Sequence, residues 1–288
     1  MPLDILRRLI TPLRDPVATS RYPEAAPLLQ AATRGLPEID PARCENAGAC
    51  AEVCPTDAIE LAPVASPDGE SGEGAQAADK PSIDAGKCVV CAACVLACPN
   101  GAIKMSSRVE LASQSLADLV ERAAAPGEPA IDRAAEDRAR AQILGRFGRS
   151  LHVRHLDAGS CNGCDWEVAA LLNSYHDVQR LGIDFVASPR HADLLLVTGV
   201  MTANLQEAAR RTYEAMPEPR LVVAIGACAI SGGVFAGSPQ TRNGVAGAFP
   251  VDVFVPGCPP RPEAIIEGLL MAVALPPRTA DVVVAGPQ

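Results

Sequence analysis

A duplicated cysteine pattern constrains this chain more than any other feature. Residues 44–61 read CENAGACAEVCPTDAIEL, and residues 88–105 read CVVCAACVLACPNGAIKM. Cys44 aligns with Cys88, Cys50 with Cys94 and Cys54 with Cys98; Pro55 aligns with Pro99, and Ala58-Ile59 with Ala102-Ile103. A repeat of this kind marks a duplicated structural unit.

The second copy, Cys88-x2-Cys91-x2-Cys94-x3-Cys98-Pro99, has the ligand spacing of bacterial two-cluster iron–sulfur proteins. Three closely spaced thiolates in a tight loop cap three corners of a cubane, and the fourth cysteine reaches the other cluster. Thiolates are soft donors suited to iron–sulfur clusters, and the proline after the fourth cysteine turns the chain. Crossed connectivity therefore assigns Cys88, Cys91, Cys94 and Cys54 to one [4Fe–4S] cluster. Cys44, Cys50 and Cys98 are assigned to a second site. Ala47 stands there in place of a fourth cysteine, so three thiolates are expected. Such a site holds either a [3Fe–4S] cluster, the preferred reading, or a [4Fe–4S] cluster with water, Glu45 or Asn46 at the odd iron; loss of the cluster is the remaining outcome. Paired zinc sites would not need the duplicated spacing.

Four of the eleven cysteines remain: Cys161, Cys164, Cys228 and Cys258. Each follows an aliphatic run. LHVRHL (151–156), IDFVA (183–187), DLLLVTG (193–199), RLVVAIG (220–226) and VDVFVPG (251–257) read as strands. They alternate with helix-like stretches near 164–175, 202–216 and 260–273, which favours a largely parallel sheet with helices on both faces. Ligands of such sheets collect at the carboxyl ends of strands. Four thiolates at strand ends, with neighbouring glycines allowing close approach, make one further [4Fe–4S] site.

The motifs HLDAGSCNGCDWEV, SPRHADLLLVTGVMT, VVAIGACAISGGVF and VDVFVPGCPPRPEAI resemble the small subunit of energy-converting nickel–iron hydrogenases and the related B subunit of respiratory complex I. The first half is similar to the ferredoxin-like subunit of formate hydrogenlyase, down to the IKMSSRVELA stretch. The chain thus resembles a fusion of two subunits that are usually separate. The resemblance implies an α+β ferredoxin-like domain followed by a flavodoxin-like α/β domain. Expected divisions are an N-terminal docking segment (1–34), a ferredoxin domain (35–106), a helical linker (107–150) and the small-subunit-like domain (151–288). Within these, 62–80 is too polar to order itself, and 108–124 and 131–147 look helical, the second rich in arginine. The spacing Cys161-x2-Cys164 is of the hydrogenase type, since the complex I relative carries adjacent cysteines there.

That resemblance implies an electron-transfer subunit working with a hydrogenase-type large subunit and other subunits of a membrane-associated complex. The catalytic metal would lie in the large partner, and no catalytic residue is assigned here. One alternative is a complex-I-like quinone or ferredoxin oxidoreductase module whose partner lacks nickel. Another is a metal-stabilised scaffold or redox sensor. Glu167 either assists proton movement, as the resemblance implies, or complements a helix N-terminus. His152, His155 and His191 read as packing or surface groups, and Trp166 as a neighbour of the cluster or the partner.

With 48% apolar residues but only 3% aromatic ones, the core must be packed from small aliphatic side chains. The net charge of −9 and the lack of a basic face argue against nucleic acid, and no phosphate-binding GxGxxG accompanies the glycines. No apolar run approaches the roughly 20 residues that span a bilayer. Arg7-Arg8 is followed by Pro12 and Arg14 instead of an export segment. A cytoplasmic, peripheral placement is expected, with Leu3, Ile5, Leu6, Leu9, Ile10 and Leu13 forming one stripe of a short helix that docks on a partner subunit or, in the alternative reading, anchors at a membrane surface.

Overall fold

The computed structural model describes residues 18–29, 33–45, 48–61, 81–122 and 136–275. The N-terminal stripe, Asn46, Ala47, the 62–80 insertion and the start of the arginine-rich stretch lie outside the described residues. Among those described, no helix is long and apolar enough to cross a membrane.

The two cysteine repeats fold alike. Strand β1 (Pro37–Ile39) precedes the first copy, which carries helix α1 (Ala49–Glu52) and strand β2 (Ile59–Glu60); β3 (Ser82–Asp84) precedes the second, with α2 (Ala93–Ala97) and β4 (Ile103–Met105). The pairing is crossed. β1 runs antiparallel to β4, and β2 antiparallel to β3. Each short helix starts after a left-handed residue, Gly48 in the first copy and the equivalent Ala92 in the second.

The stretch 108–124, expected to be a polar helix, is not one over its described residues. Ser113 forms an antiparallel bridge with Phe254, a short 3-10 turn covers Ala117–Leu119, and β5 (Val120–Arg122) pairs with β3. Tertiary pairing overrides the weak helical preference of this segment. Helix α3 (Glu136–Phe147) does form. Its Ala139 and Ile143 sit one turn apart and are buried, and Arg146 donates to the Val273 carbonyl at 2.7 Å, so one face of this otherwise exposed helix is docked.

The second half is built on five parallel strands: β6 (Leu151–Asp157), β7 (Ile183–Phe185), β8 (Leu194–Thr198), β9 (Leu221–Ile225) and β10 (Val253–Val255). They lie in the order β7-β6-β8-β9-β10, a doubly wound sheet whose switch point falls between β6 and β8. Helices α4 (Gly163–Ala170), α5 (Gln206–Glu214), α6 (Gly226–Ser231) and α7 (Pro262–Ala274) connect and cover it. β8 and β9 are buried at every position, which is why they read as unbroken aliphatic runs. Alternation sends Leu194 and Leu196 to one face, with α3 and α7 residues, and Leu195 and Val197 to the other. On that second face the core is continuous with Ile39, Ile59, Ile83 and Ile103 of the repeat half. The two halves share one apolar interior.

Candidate iron–sulfur centres

The crossed strand pairing brings thiols of opposite copies together. Burial pushes the Cys88 and Cys94 thiols up to about 11, and the neighbouring Cys91 and Cys54 add to the rise at both. Cys50 is raised first by burial and then by Cys44 and Cys98. Cys54 therefore stands with the second copy's first three cysteines, and Cys98 with the first copy's pair. Cys50 also acts on Cys94, so the two sets are neighbours. Arg43, Cys44, Glu45, Cys50, Pro81 and Cys98 line one small cavity. Ala47 lies outside the described residues.

Backbone amides aim at the sulfurs. Ala58 N–H donates to Cys54 Sγ at 3.2 Å, and the repeat-equivalent Ala102 N–H to Cys98 Sγ at 3.2 Å. Val90 N–H donates to Cys88 Sγ at 3.4 Å. At Cys98 desolvation raises the thiol, yet the backbone N–H groups of Ala102, Ile103, Asn100 and Gly101 outweigh it and hold it below its ordinary value. Val90 and Ala92 both have positive φ. That costs energy in an L-residue, most of all a β-branched one, and it accompanies the turn that brings the Val90 N–H onto the Cys88 sulfur.

In the sheet half, the segments after β6, β9 and β10 deliver the other four cysteines, with Cys164 in the first turn of α4 and Cys228 in α6. Asp157 Oδ1 accepts from the Gly159 and Ser160 amides at 2.8 and 2.7 Å and shapes the loop leading to Cys161. Gly199, at the end of β8, touches this loop so closely that a β-carbon would lie 2.6 Å from Ser160 N. Ala227 N–H donates to the Gly257 carbonyl at 2.9 Å, tying the start of α6, with Cys228, to the loop carrying Cys258. Burial pushes Cys164 up strongly, with Cys228, Cys258 and Cys161 contributing. Burial likewise takes Cys228 to about 11, aided by Cys258 and Cys161. Cys258 is raised by burial first, then by Cys161 and by Cys91 of the repeat half. A cleft of about 230 Å³ has both Cys88 and Cys258 in its wall, together with Arg34, Arg108 and Arg261.

Eleven thiols thus stand in three neighbouring sets, of four, four and three. Among the described residues no three Cys, His, Asp or Glu side chains are drawn together tightly enough for a single metal ion. Soft sulfur donors, amides directed at them and glycines at the closest approaches form a donor set that fits iron–sulfur clusters.

Sequence reasoning missed the polar network behind Cys164. Thr198 Oγ1 donates to Asp165 Oδ1 at 2.6 Å, Ser160 Oγ bonds the other carboxylate oxygen, and His155 Nε2 lies 3.0 Å from both Thr198 Oγ1 and Asp165 Oδ1. His155 is a member of this network as well as a packing group. His152 Nδ1 lies 3.0 Å from the His191 carbonyl, a structural contact. The acid in the first turn of α4 is Asp165; Glu167 lies beyond it and is raised by burial, against Arg261 and with Glu263. Glu263 is itself buried at the start of α7. Trp166 is 76% exposed beside the strand-end set, and Val234 and Phe235 after α6 are exposed too.

Residues 161–272 match the family described as NADH ubiquinone oxidoreductase, 20 Kd subunit, and residues 43–102 match the 4Fe-4S dicluster domain. A probable membrane-bound hydrogenase subunit mbhJ of Pyrococcus furiosus is 51% identical over 133 residues, 46% of this chain and 80% of its own length. The chain belongs to the NADH ubiquinone oxidoreductase 20 Kd subunit family. Other relatives are formate hydrogenlyase subunit 7 of Escherichia coli, 42% identical over 47% of this chain and 53% of its own, and the NADH-quinone oxidoreductase B subunit of Desulfovibrio desulfuricans, 49% identical over 37% and 58%. The chain spans only about half the length of these last two. In this family member the 4Fe-4S dicluster match precedes the 20 Kd subunit match on one polypeptide.

Proposed function

We propose that this chain is the electron-transfer subunit of a hydrogenase-type complex, with a bacterial-type ferredoxin domain (35–106) fused to the small-subunit-like domain (151–288). The observation that carries this is the contiguity of the three thiol sets. Cys161, Cys164, Cys228 and Cys258 stand next to Cys54, Cys88, Cys91 and Cys94, which stand next to Cys44, Cys50 and Cys98. When bound, an iron–sulfur cluster at each set accepts and donates single electrons. The residues do the rest. Thiolates hold the irons, and the amides of Ala58, Val90 and Ala102 favour negative charge at sulfur. The aliphatic core lowers the local dielectric.

The two complete sets are read as [4Fe–4S] sites and the third as [3Fe–4S], since the aligned position, Ala47, offers no ligand. The exposed Trp166, Val234 and Phe235 next to the strand-end set suit a large partner subunit that carries the catalytic metal. The relatives named for a membrane-bound hydrogenase and for formate hydrogenlyase support a nickel–iron partner in a membrane-associated complex. Peripheral placement on the cytoplasmic face completes this reading. The family's complex I members support the second reading, a partner without nickel.

EPR-monitored redox titration of the anaerobically purified chain, with iron analysis and Mössbauer spectroscopy, tests the wire. Three reducible clusters are expected, and their absence rejects it. Pull-down of the large partner decides between the two readings: two C-x2-C pairs and bound nickel support a hydrogenase, and their absence supports the complex-I-like module.

A further inference from the structure

The segment expected to be a helical link is instead an excursion from the repeat half that returns to it. At its start, Gly35 N–H donates to the Ser106 carbonyl at 2.8 Å, and Ser106 N–H and Oγ both donate to the Leu36 carbonyl, at 3.1 and 2.6 Å. Gly35 lies so close to Arg108 that a β-carbon would be 1.9 Å from its carbonyl oxygen. At its return, Ala85 N–H donates to the Leu119 carbonyl at 2.7 Å, and β5 adds to β3. Between these anchors the chain crosses to the other half. Ser113 exchanges two hydrogen bonds with Phe254, 2.9 and 2.7 Å, and covers the outer edge of β10.

One side chain meets this excursion from inside the sheet half. Glu267 is fully buried in α7, among Ile265, Ile266, Leu269 and Leu270. Its Oε2 accepts from Ala112 N–H at 3.1 Å, across 155 positions of sequence. A carboxylate in such surroundings is costly compared with an apolar side chain of similar size, so packing alone gives no reason for it. The contact sits one residue from the Ser113–Phe254 bridge. Phe254 is four residues before Cys258, whose thiol lies within electrostatic range of Cys91.

We propose that Glu267 is a positioning residue which, by latching Ala112, fixes the repeat half against the sheet half and so sets the separation of the Cys54/88/91/94 and Cys161/164/228/258 centres. This rests on the reading that both sets hold clusters. Electron tunnelling falls exponentially with distance, so a small relaxation of this latch slows transfer between the two centres while leaving each cluster intact. The Ser231 Oγ bond to the Gly86 carbonyl, 3.0 Å, is a second tie between the halves. It involves neither Ala112 nor Glu267 and keeps the halves associated when the latch is lost.

The test uses the full-length chain with its clusters, in wild-type form and as Glu267→Gln, Glu267→Leu and Ser113→Pro. Pulsed EPR measures the magnetic coupling between the two reduced clusters, and rapid-mixing spectroscopy measures electron transfer between them. Glutamine still offers a carbonyl to Ala112, and is expected to match wild type. Leucine offers no acceptor and leaves the buried Ala112 N–H unpaired, so that variant is expected to melt lower than wild type while keeping both clusters. Its cluster coupling weakens and its transfer slows relative to both wild type and the glutamine variant. Ser113→Pro removes one of the two bonds to Phe254, the one donated by the Ser113 N–H, acts in the same direction and keeps the test open should the leucine variant not fold. Unchanged coupling and rate in the variants overturn the role of Glu267, as does equal loss with glutamine. Absence of both cluster signals in wild type instead rejects the reading on which the inference rests.

Discussion

The backbone of Gly226 approaches Cys164 so closely that a β-carbon there would lie 2.7 Å from the thiol sulfur. The same residue has φ of +85°, a conformation that L side chains adopt only at a cost. It is the hinge between β9 and α6, and it lets Cys228 enter the strand-end set without displacing Cys164. Gly226→Ala is expected to destabilise the chain by about 1–3 kcal/mol and to deplete iron selectively from this set. Thermal melting and iron analysis check it; normal iron content would mean that the loop has room to give.

The amides directed at Cys54 and Cys98 make a second prediction. An N–H···S bond stabilises the more negative, reduced cluster, so removing it lowers the midpoint potential. Ala102→Pro deletes the donor to Cys98 Sγ, and the preceding Gly101 tolerates a following proline better than another residue would. The cluster using Cys98 should move negative by tens of millivolts in an EPR titration, while the strand-end cluster stays put. Ala102→Gly keeps the N–H and should leave the potential near that of wild type.

Raised thiols make the metal-free chain sensitive to alkali. Burial, first among the causes, brings Cys88, Cys94 and Cys228 from 9.0 to about 11. An acid held protonated by folding contributes stability below its unfolded value and loses it as pH rises through the folded one. The metal-free chain is therefore expected to weaken between about pH 9 and 11. Thiolates already bound to iron contribute no such loss. Melting curves of the metal-free and iron-loaded chain across this range should diverge, and parallel curves would reject the burial of these thiols.

Much of this arrangement is legible in the sequence because two different periodicities carry it. The cysteine spacing in each copy fixes which thiols share a loop, and crossed strand pairing then places Cys54 and Cys98 with the opposite copies. β8 and β9 announce themselves as strands because burial on both faces leaves no polar position to interrupt them. Short elements are harder. The six residues of α6 offer no amphipathic period, so the sequence places Cys228 after β9 without showing that it stands on a helix. The 108–124 stretch reads as helical because its polar composition suits a surface helix, whereas the conformation of its described part is decided by partners far away in sequence: Leu36, Ile83 and Phe254. Glu267 gives one local sign, a lone acid in the apolar run IIEGLLMAV, but sequence does not say which amide it meets. Asp165, directly after Cys164, is hidden in the same way, because its partners Thr198 and His155 are distant in the chain.

The three-thiolate set yields the sharpest prediction. Repeat alignment places Ala47 opposite Cys91, and the neighbouring Cys44, Cys50 and Cys98 are already brought together. Glu45 lines the same cavity, so a carboxylate is at hand as a fourth donor, but it is a harder ligand than a thiolate and less suited to this iron. Ala47→Cys supplies the missing thiolate at the equivalent loop position. The expected outcome is a gain of one iron per chain and replacement of a [3Fe–4S] by a [4Fe–4S] signature in Mössbauer and EPR spectra. The other two clusters should be unaffected. Unchanged iron content with an intact third cluster would count against the crossed assignment, because a cysteine at this position should then have been facing the open iron. A four-iron cluster already present in the wild-type chain would instead assign the fourth ligand to water or a nearby side chain, and Glu45→Gln would separate those two by removing the carboxylate while leaving water available.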